Sequence, residues 1–379
     1  MYANDEAVGG ADDPLDPRFE QSAQTFVGRV RYDLYSESFV GAIFTDRELL
    51  DNHSRLAGLD SNFRIGDTHS FGFSALGTQH RNLDGLETSG YLFDANFSKI
   101  GRNLSYSVNS YALSPDFQTD VGFVRRTDQR QTFGSVSYRW WPESWLLNWG
   151  PQVAFGRNYN FDGILEDENV QAGLDFSFSN NIRLRFDGNR DMERFGGLDF
   201  HKSRYNLFSF INTSRVIQIG GGLNWGDQVY FDSTNPFLGR DSGLRTFITF
   251  RPVSRFETQV NVTTSRFTDA LNLFNPVLNT GERAEDGLIF NVKIFRTLTT
   301  YQFTDRLLFR NIAEYNTFEK TLGLNFLLTY RVNSGTAFYF GYDDHYQQGI
   351  RYDKELFPTT RYQQTNRAIF TKIQYLFRY

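Results

Sequence analysis

The sequence predicts an all-β chain, an antiparallel transmembrane β-barrel of about 18–20 strands, on three observations. The last twelve residues alternate: Ile369, Thr371, Ile373, Tyr375, Phe377 and Tyr379 fall on one face, and Lys372, Gln374 and Arg378 on the other. A strand patterned this way has one apolar side and one polar side. The same alternation returns along nearly the whole chain. The connections between alternating segments are short and long in turn, which is how outer-membrane barrels are built.

The composition agrees. Aromatics make up 17% of the 379 residues, with 39 Phe and 20 Tyr, while Met and Pro are scarce. Such usage favours strands over helices. Mean hydropathy is negative. No apolar run approaches the ~18 residues of a spanning helix, so a helical membrane protein is excluded. A barrel is not, because its strands alternate lipid-facing with lumen-facing residues. There is no Cys, hence no disulfide framework and no thiol chemistry.

Nineteen strands are predicted in order: 24–35, 38–46, 55–66, 68–79, 87–99, 102–114, 128–141, 144–159, 168–179, 181–190, 200–213, 215–227, 241–252, 254–266, 286–303, 306–316, 319–331, 334–344 and 366–379. Several are clean. Tyr91, Phe93, Ala95 and Phe97 oppose Leu92, Asp94, Asn96 and Ser98. Ile182, Leu184 and Phe186 oppose Arg183, Arg185 and Asp187. Leu322, Leu324, Phe326 and Leu328, with Phe338 and Phe340 on the next strand, are expected to face lipid. Short turns are expected at 35–38, 100–103, 142–144, 180–181, 252–254 and 333–335. Longer links are expected at 46–55, 79–87, 114–128, 160–168, 190–200, 228–241, 266–286 and 344–366. Trp140, Trp141, Trp145 and Trp149 suit an interfacial girdle, as ordinary strand aromatics also would.

Residues 1–23 carry six carboxylates against Arg18 alone, a net charge of −5 that equals that of the whole chain. They read as an acidic flexible loop or lead-in to the barrel at 24–379. The body is neutral, which does not suit a nucleic-acid binder. No secretory signal follows Met1. Because a barrel must be exported, the chain is expected to be a processed product, a trimmed piece or a fragment that lacks one or more upstream strands.

Four stretches carry a resemblance to a known family: Thr25 to Asp33 (TFVGRVRYD), Ser38 to Arg47 (SFVGAIFTDR), Ala57 to Asp60 (AGLD) and Ser114 to Arg126 (SPDFQTDVGFVRR). They resemble an uncharacterised outer-membrane family. In it, a periplasmic sandwich similar to a family 9 carbohydrate-binding module precedes a C-terminal barrel of unknown function. The resemblance implies that this chain is the barrel part, in a Gram-negative outer membrane, without the sandwich. The aromatic-ended final strand, with Tyr375, Phe377 and Tyr379, resembles the signal read by the outer-membrane assembly machinery. Expected partners are therefore outer-membrane lipid, that assembly machinery, and a periplasmic domain or second chain, with no nucleic acid.

On the strands with clear faces, twelve basic residues point inward: Arg29, Arg31, Arg64, Arg139, Arg183, Arg185, Arg245, Arg251, Lys293, Arg331, Lys372 and Arg378. Six acidic ones join them: Asp33, Asp60, Asp94, Asp175, Asp187 and Glu257. A charge facing lipid costs about 2–4 kcal/mol at the midplane, so this sorting itself argues for a lumen. It supports a porin-like, anion-favouring conduit. It equally suits structural pairing of Arg and Asp across the interior. The segment 115–128 holds Phe117, Phe123, Arg125 and Arg126, too apolar for a free loop. It folds inward as a constriction or lies on the rim against its neighbours.

Catalytic signals are thin. The five His (His53, His69, His80, His201, His345) are scattered, and no metalloprotease, nucleophile-elbow or phosphate-loop motif is present. Gly220 to Gly222 opens no helix and marks a bend or close packing. The run Asp162 to Glu168 lacks the spacing of a calcium loop and reads as a solvated acidic loop. No cofactor, metal or enzymatic site is expected. Besides a conduit, the pattern admits a plugged docking barrel for a periplasmic or surface partner, and thirdly a surface enzyme.

Overall fold

The computed structural model describes residues 2–5, 21–269, 287–333, 335–352 and 355–376. They form one twenty-stranded sheet. The strands are β1 (Tyr2–Asp5), β2 (Ala23–Asp33), β3 (Phe39–Leu49), β4 (Asn52–Ile65), β5 (His69–Arg81), β6 (Glu87–Ile100) and β7 (Leu104–Leu113). Then come β8 (Gln129–Tyr138), β9 (Leu146–Tyr159), β10 (Leu165–Phe178), β11 (Ile182–Phe195), β12 (Leu198–Ile211), β13 (Ile217–Tyr230) and β14 (Phe237–Val253). The last are β15 (Phe256–Asp269), β16 (Leu288–Gln302), β17 (Leu307–Asn316), β18 (Thr321–Arg331), β19 (Thr336–Tyr352) and β20 (Glu355–Tyr375). From β1 to β9, and again from β12 to β20, each strand bonds antiparallel to the next. No helix among the described residues is long and apolar enough to cross a membrane.

All nineteen predicted strands are present as β2 to β20. The twentieth, β1, lies inside the stretch expected to be a flexible lead-in: Tyr2 to Asp5 pair with Phe26 to Ala23. Residues 6–20 lie outside the described residues.

Three expected long links, 46–55, 190–200 and 344–366, are almost wholly strand instead. Those at 79–87 and 160–168 shrink to turns at 82–86 and 160–164, and most of the link expected at 266–286 lies outside the described residues. The chain turns at Leu50, which adopts a left-handed φ of 56°, and Asp51 is the only other residue between β3 and β4. Gly196 and Gly197, with φ of 59° and 81°, turn β11 into β12. Only residues 353–354 separate β19 from β20. The long link 114–128 is real, and 231–236 remains a turn of intermediate length. The failures share a cause. Towards one end of the sheet, polar side chains occupy the outward positions, so the hydrophobic alternation fades while backbone pairing continues.

Asp344 illustrates this. It shares a face with Leu322, Leu324 and Tyr342, where a bare carboxylate would be expensive. It is 1% exposed. The hydroxyls of Tyr342 and Tyr346 donate to it at 2.6 and 2.7 Å, Gln364 at 2.6 Å and Arg367 at 3.0 Å. Four donors from β19 and β20 satisfy a group whose position reads as a loop signal in sequence.

The chain divides into two compact units. One is Met1–Trp140, Gly150–Ala172 and Asn189–His201; the other is Trp141–Trp149, Gly173–Gly188 and Lys202–Tyr379. In each, register defines an apolar and a polar face, because directly opposed residues share a side. In the first unit Phe26, Val30 and Tyr32 share a face with Phe44, Ala42 and Val40. Arg29, Thr45, Leu56 and Asp60 lie opposite. In the second, Leu322, Leu324, Phe326 and Leu328 share a face with Phe338 and Phe340, as expected.

Candidate functional site

Segment 114–128 covers the polar face of β3 to β7. Its start is pinned by Ser114, whose N–H donates to the Tyr91 carbonyl at 3.0 Å and whose hydroxyl accepts the Tyr91 N–H at 2.8 Å. A β-turn closed by the Phe117 N–H on the Ser114 carbonyl aims Phe117 at the sheet. Phe117 is 5% exposed and packs with Leu56 and Leu113, bordered by Ile43, Leu76, Leu92, Tyr111 and Val124. These side chains are an apolar island on an otherwise polar face, and the segment supplies its lid.

Gly90 makes the approach possible. A Cβ at that position would stand 2.3 Å from the Phe117 Cα and 2.4 Å from its N, so a side chain there excludes the segment.

A polar latch follows. The Asp120 N–H donates to Ser54 Oγ at 3.0 Å. Its carboxylate lies 3.3 Å from Arg47 Nη1 and 3.4 Å from His80 Nε2. Arg47, Ser54 and His80 are direct cross-strand neighbours on β3, β4 and β5. The far end is held by Arg126, which pairs with Glu166 and lies 3.8 Å from Asp167 on β10. Asp128 accepts the Phe161 N–H at 2.7 Å.

Between segment and sheet remains a hollow of about 530 Å³, lined by Leu76, Leu92, Tyr111, Phe123 and Arg125 among others. Thus Phe117 anchors and Arg126 ties, while Phe123, at 91% exposure, and Arg125 project from the segment. Glu166, Asp167 and Glu168 are strand residues satisfied by Arg126, Asn158 and Arg157, not a free acidic loop. No group of metal-ligating side chains occurs among the described residues.

The predicted polar-face charges mostly meet as pairs. Arg29 reaches Asp60 at 2.7 Å, Arg31 reaches Asp33 at 2.8 Å and Arg251 reaches Glu257 at 2.5 Å. Asp187 is held by Arg185 at 3.1 Å and by Asn206 at 2.8 Å. Arg64 donates to the Asp67 carbonyl, and Asp94 accepts from Asn109. Asp175 is two residues along β10 from Gly173, where a Cβ would meet Asp187. Among the described residues Arg183, Arg245 and Arg331 have no ion-pair partner, and Lys372 lies over the Tyr339 ring at 5.9 Å.

One assignment changes, that of Lys293, and one holds. Arg139 lies just past β8, where its N–H to the Asn103 carbonyl continues the β7 pairing and keeps it in line with Ser135 and Ser137 on the polar side. Lys293 opposes Thr264, which opposes Leu244 and so shares the apolar face, opposite to Arg245. Residues 377–379, which include Phe377, Arg378 and Tyr379, lie outside the described residues; Tyr375 is exposed on the face of Ile369 and Ile373. The latch residues Arg47, Ser54, His80 and Asp120 carry no sequence signal beyond their alternation, since β3 reads ambiguously.

Twenty antiparallel strands in sequential pairing place this chain among outer-membrane β-barrels, and solved structures agree. The fold is similar to that of a mutant ferric enterobactin receptor from Pseudomonas aeruginosa, with a TM-score of 0.50 at 9% identity over 98% of this chain and 71% of that one. The siderophore receptor PirA from Acinetobacter baumannii has a TM-score of 0.49 at 8% identity, over 98% and 72% of the two chains. The FrpB iron transporter from Neisseria meningitidis has a TM-score of 0.49 at 11% identity, over 93% and 70%. Residues 58–355 match the family described as "Domain of unknown function (DUF5916)", and the chain belongs to that family. No curated protein matches the chain.

Proposed function

We propose that the protein is a conduit across the Gram-negative outer membrane, with its polar face lining a lumen that segment 115–128 narrows. The observation that carries this reading is the seating of Phe117 and Asp120 on the polar face rather than beyond the strand ends. A segment so anchored restricts passage instead of fringing the rim. Arg183, Arg245 and Arg331, unpaired among the described residues, favour anions, because fixed cations in a lumen lower the barrier for opposite charge. The Arg–Asp pairs hold the wall and add little selectivity.

Ion conductance of the protein in a planar bilayer tests the reading. Discrete steps with a reversal potential shifted towards the anion equilibrium are expected, and deletion of Asp116 to Thr127 should enlarge them. A folded, heat-modifiable barrel that stays electrically silent before and after the deletion would overturn the conduit in favour of a docking scaffold.

A further inference from the structure

Arg240, Arg266 and Lys293 stand on three consecutive strands, β14, β15 and β16. Register puts all three on the apolar face. Trp225, Ser242, Arg266 and Asn291 oppose one another in one row, and Leu223, Leu244, Thr264 and Lys293 in the next. Arg240 opposes Thr268, two residues from Arg266, and Arg266 opposes Asn291, two residues from Lys293. The three form a diagonal line, each about 7–8 Å from the next at the backbone. All are exposed, and none has an ion-pair partner among the described residues. The carboxylate nearest in register, Asp227 opposite Arg240, accepts the Ser203 N–H at 3.0 Å instead.

Three adjacent cations on an apolar face, unpaired among the described residues, repel one another and favour an anionic ligand. Arg240 and Arg266 border a hollow of about 390 Å³ whose wall also includes Tyr205, Trp225 and two carboxylates already engaged within the chain, Asp227 by the Ser203 N–H and Asp241 by Asn224 and Arg204. Those rings stack at 5.8 Å, with Phe186 beyond at 6.4 Å. A ligand in the hollow meets the two guanidinium groups and the aromatic rings, and one that extends along the face meets the Lys293 ammonium and Leu223, Leu244 and Ile248. It must therefore be anionic at one end and hydrocarbon at the other. The line lies near the strand ends that carry the 231–236 turn and the 270–287 link, the end that outer-membrane barrels turn outwards.

We propose that this patch binds the phosphorylated headgroup of a lipid in the outer leaflet. The inference rests on the outer-membrane reading above but not on conduction. Guanidinium groups take phosphate oxygens in bidentate fashion, and the ammonium adds a point charge.

The test is lipid retention by the full chain refolded in detergent micelles and read by native mass spectrometry. The probes are bisphosphorylated lipid A, the same lipid dephosphorylated, and phosphatidylcholine. The wild type should prefer the phosphorylated lipid by about tenfold. The triple variant Arg240→Gln, Arg266→Gln, Lys293→Gln should lose that preference with heat-modifiable mobility unchanged. Arg266→Gln alone, the central member, should lose most of it and serves if the triple variant does not fold. Equal retention of the three lipids by wild type, or undiminished preference in either variant, overturns the patch. Binding of inorganic phosphate to the lipid-free protein, lost in the same variants, makes it a free-anion site and overturns the lipid assignment. Failure of the wild type to insert into bilayers overturns the membrane reading and the patch with it, whereas insertion without preference overturns the patch alone.

Discussion

The polar face of β3 to β7 and the apolar face of β14 to β16 each concentrate cationic side chains, and the chain treats them oppositely. On the first, Arg47 and His80 meet Asp120, delivered by a segment that also buries Phe117. On the second, Arg240, Arg266 and Lys293 have no ion-pair partner among the described residues. The contrast is not between polar and apolar faces as such. On the apolar side of β3 and β4, Arg55 lies 3.3 Å from Asp46 and 2.8 Å from Glu48, and on β9 Arg157 lies 2.5 Å from Glu168. Arg55 and Arg157 in the first unit are thus neutralised by acids of the chain itself, as Arg367 is by Asp344 in the second. The line of three on β14 to β16 is left without an ion-pair partner among the described residues. A sheet face can be completed by the chain or by something outside it, and unpaired like charges on adjacent strands mark the second case.

Breaking the chain-completed region should have the largest effect. Gly90→Ala sets a methyl where the Phe117 backbone lies, so the whole segment must lift. Trypsin cleavage after Arg125 and Arg126 should accelerate strongly, and conductance should rise without loss of any side chain from the segment. Unchanged cleavage would mean that the segment is not held on the sheet. Phe117→Ala comes next, at about 3 kcal/mol of anchoring, because it removes a buried aromatic from a small apolar cluster. Cleavage should increase by the same route, with the heat-modifiable mobility of the barrel preserved. Asp120→Asn should cost about 2 kcal/mol, since it keeps the N–H bond to Ser54 and loses the charge-assisted contacts to Arg47 and His80.

The comparison sharpens if a completed site is made incomplete. Asp46→Asn with Glu48→Gln leaves Arg55 bare on the apolar side. A modest gain in phosphorylated-lipid retention is expected, smaller than the loss at the triple patch, because one cation replaces three. No gain would mean that adjacency, rather than lack of a partner, makes the site.

The smallest effect concerns the 231–236 turn. Hydrogen bonds from the Thr234 hydroxyl, then from the Thr234 and Asn235 amides, hold the Asp232 carboxyl below its usual range. Its contribution is therefore present above the ordinary aspartate pKa of about 3.9 and fades as pH falls through the depressed folded value. Amide exchange at Thr234, corrected for intrinsic rate, should quicken only in that acidic window. Asp232→Asn should abolish the pH dependence while leaving the barrel intact.

Much of the architecture was legible because period-two alternation is a local property. Tyr91 to Phe97, Ile182 to Asp187 and Leu322 to Tyr330 each declare a strand and its faces without reference to any neighbour. The inward bias of Arg29, Asp60, Asp187 and Arg251 was legible for the same reason. So was the apolar excess of 115–128, since a segment rich in Phe and Val must find cover.

What the sequence could not settle depends on register between strands. The parity of Lys293 on β16 looks inward when read alone, and only its alignment through Thr264 to Leu244 sets it on the apolar side. Asp344 breaks the alternation, and only the donors Tyr342, Tyr346, Gln364 and Arg367, gathered from two strands, make a strand possible there. The latch of Asp120 on Arg47, Ser54 and His80 spans widely separated sequence positions that adjacent strands bring side by side. Alternation determined which residues form strands and which sides they offer. Tertiary pairing decided which charges meet, because a one-residue change of register moves every side chain to the other face.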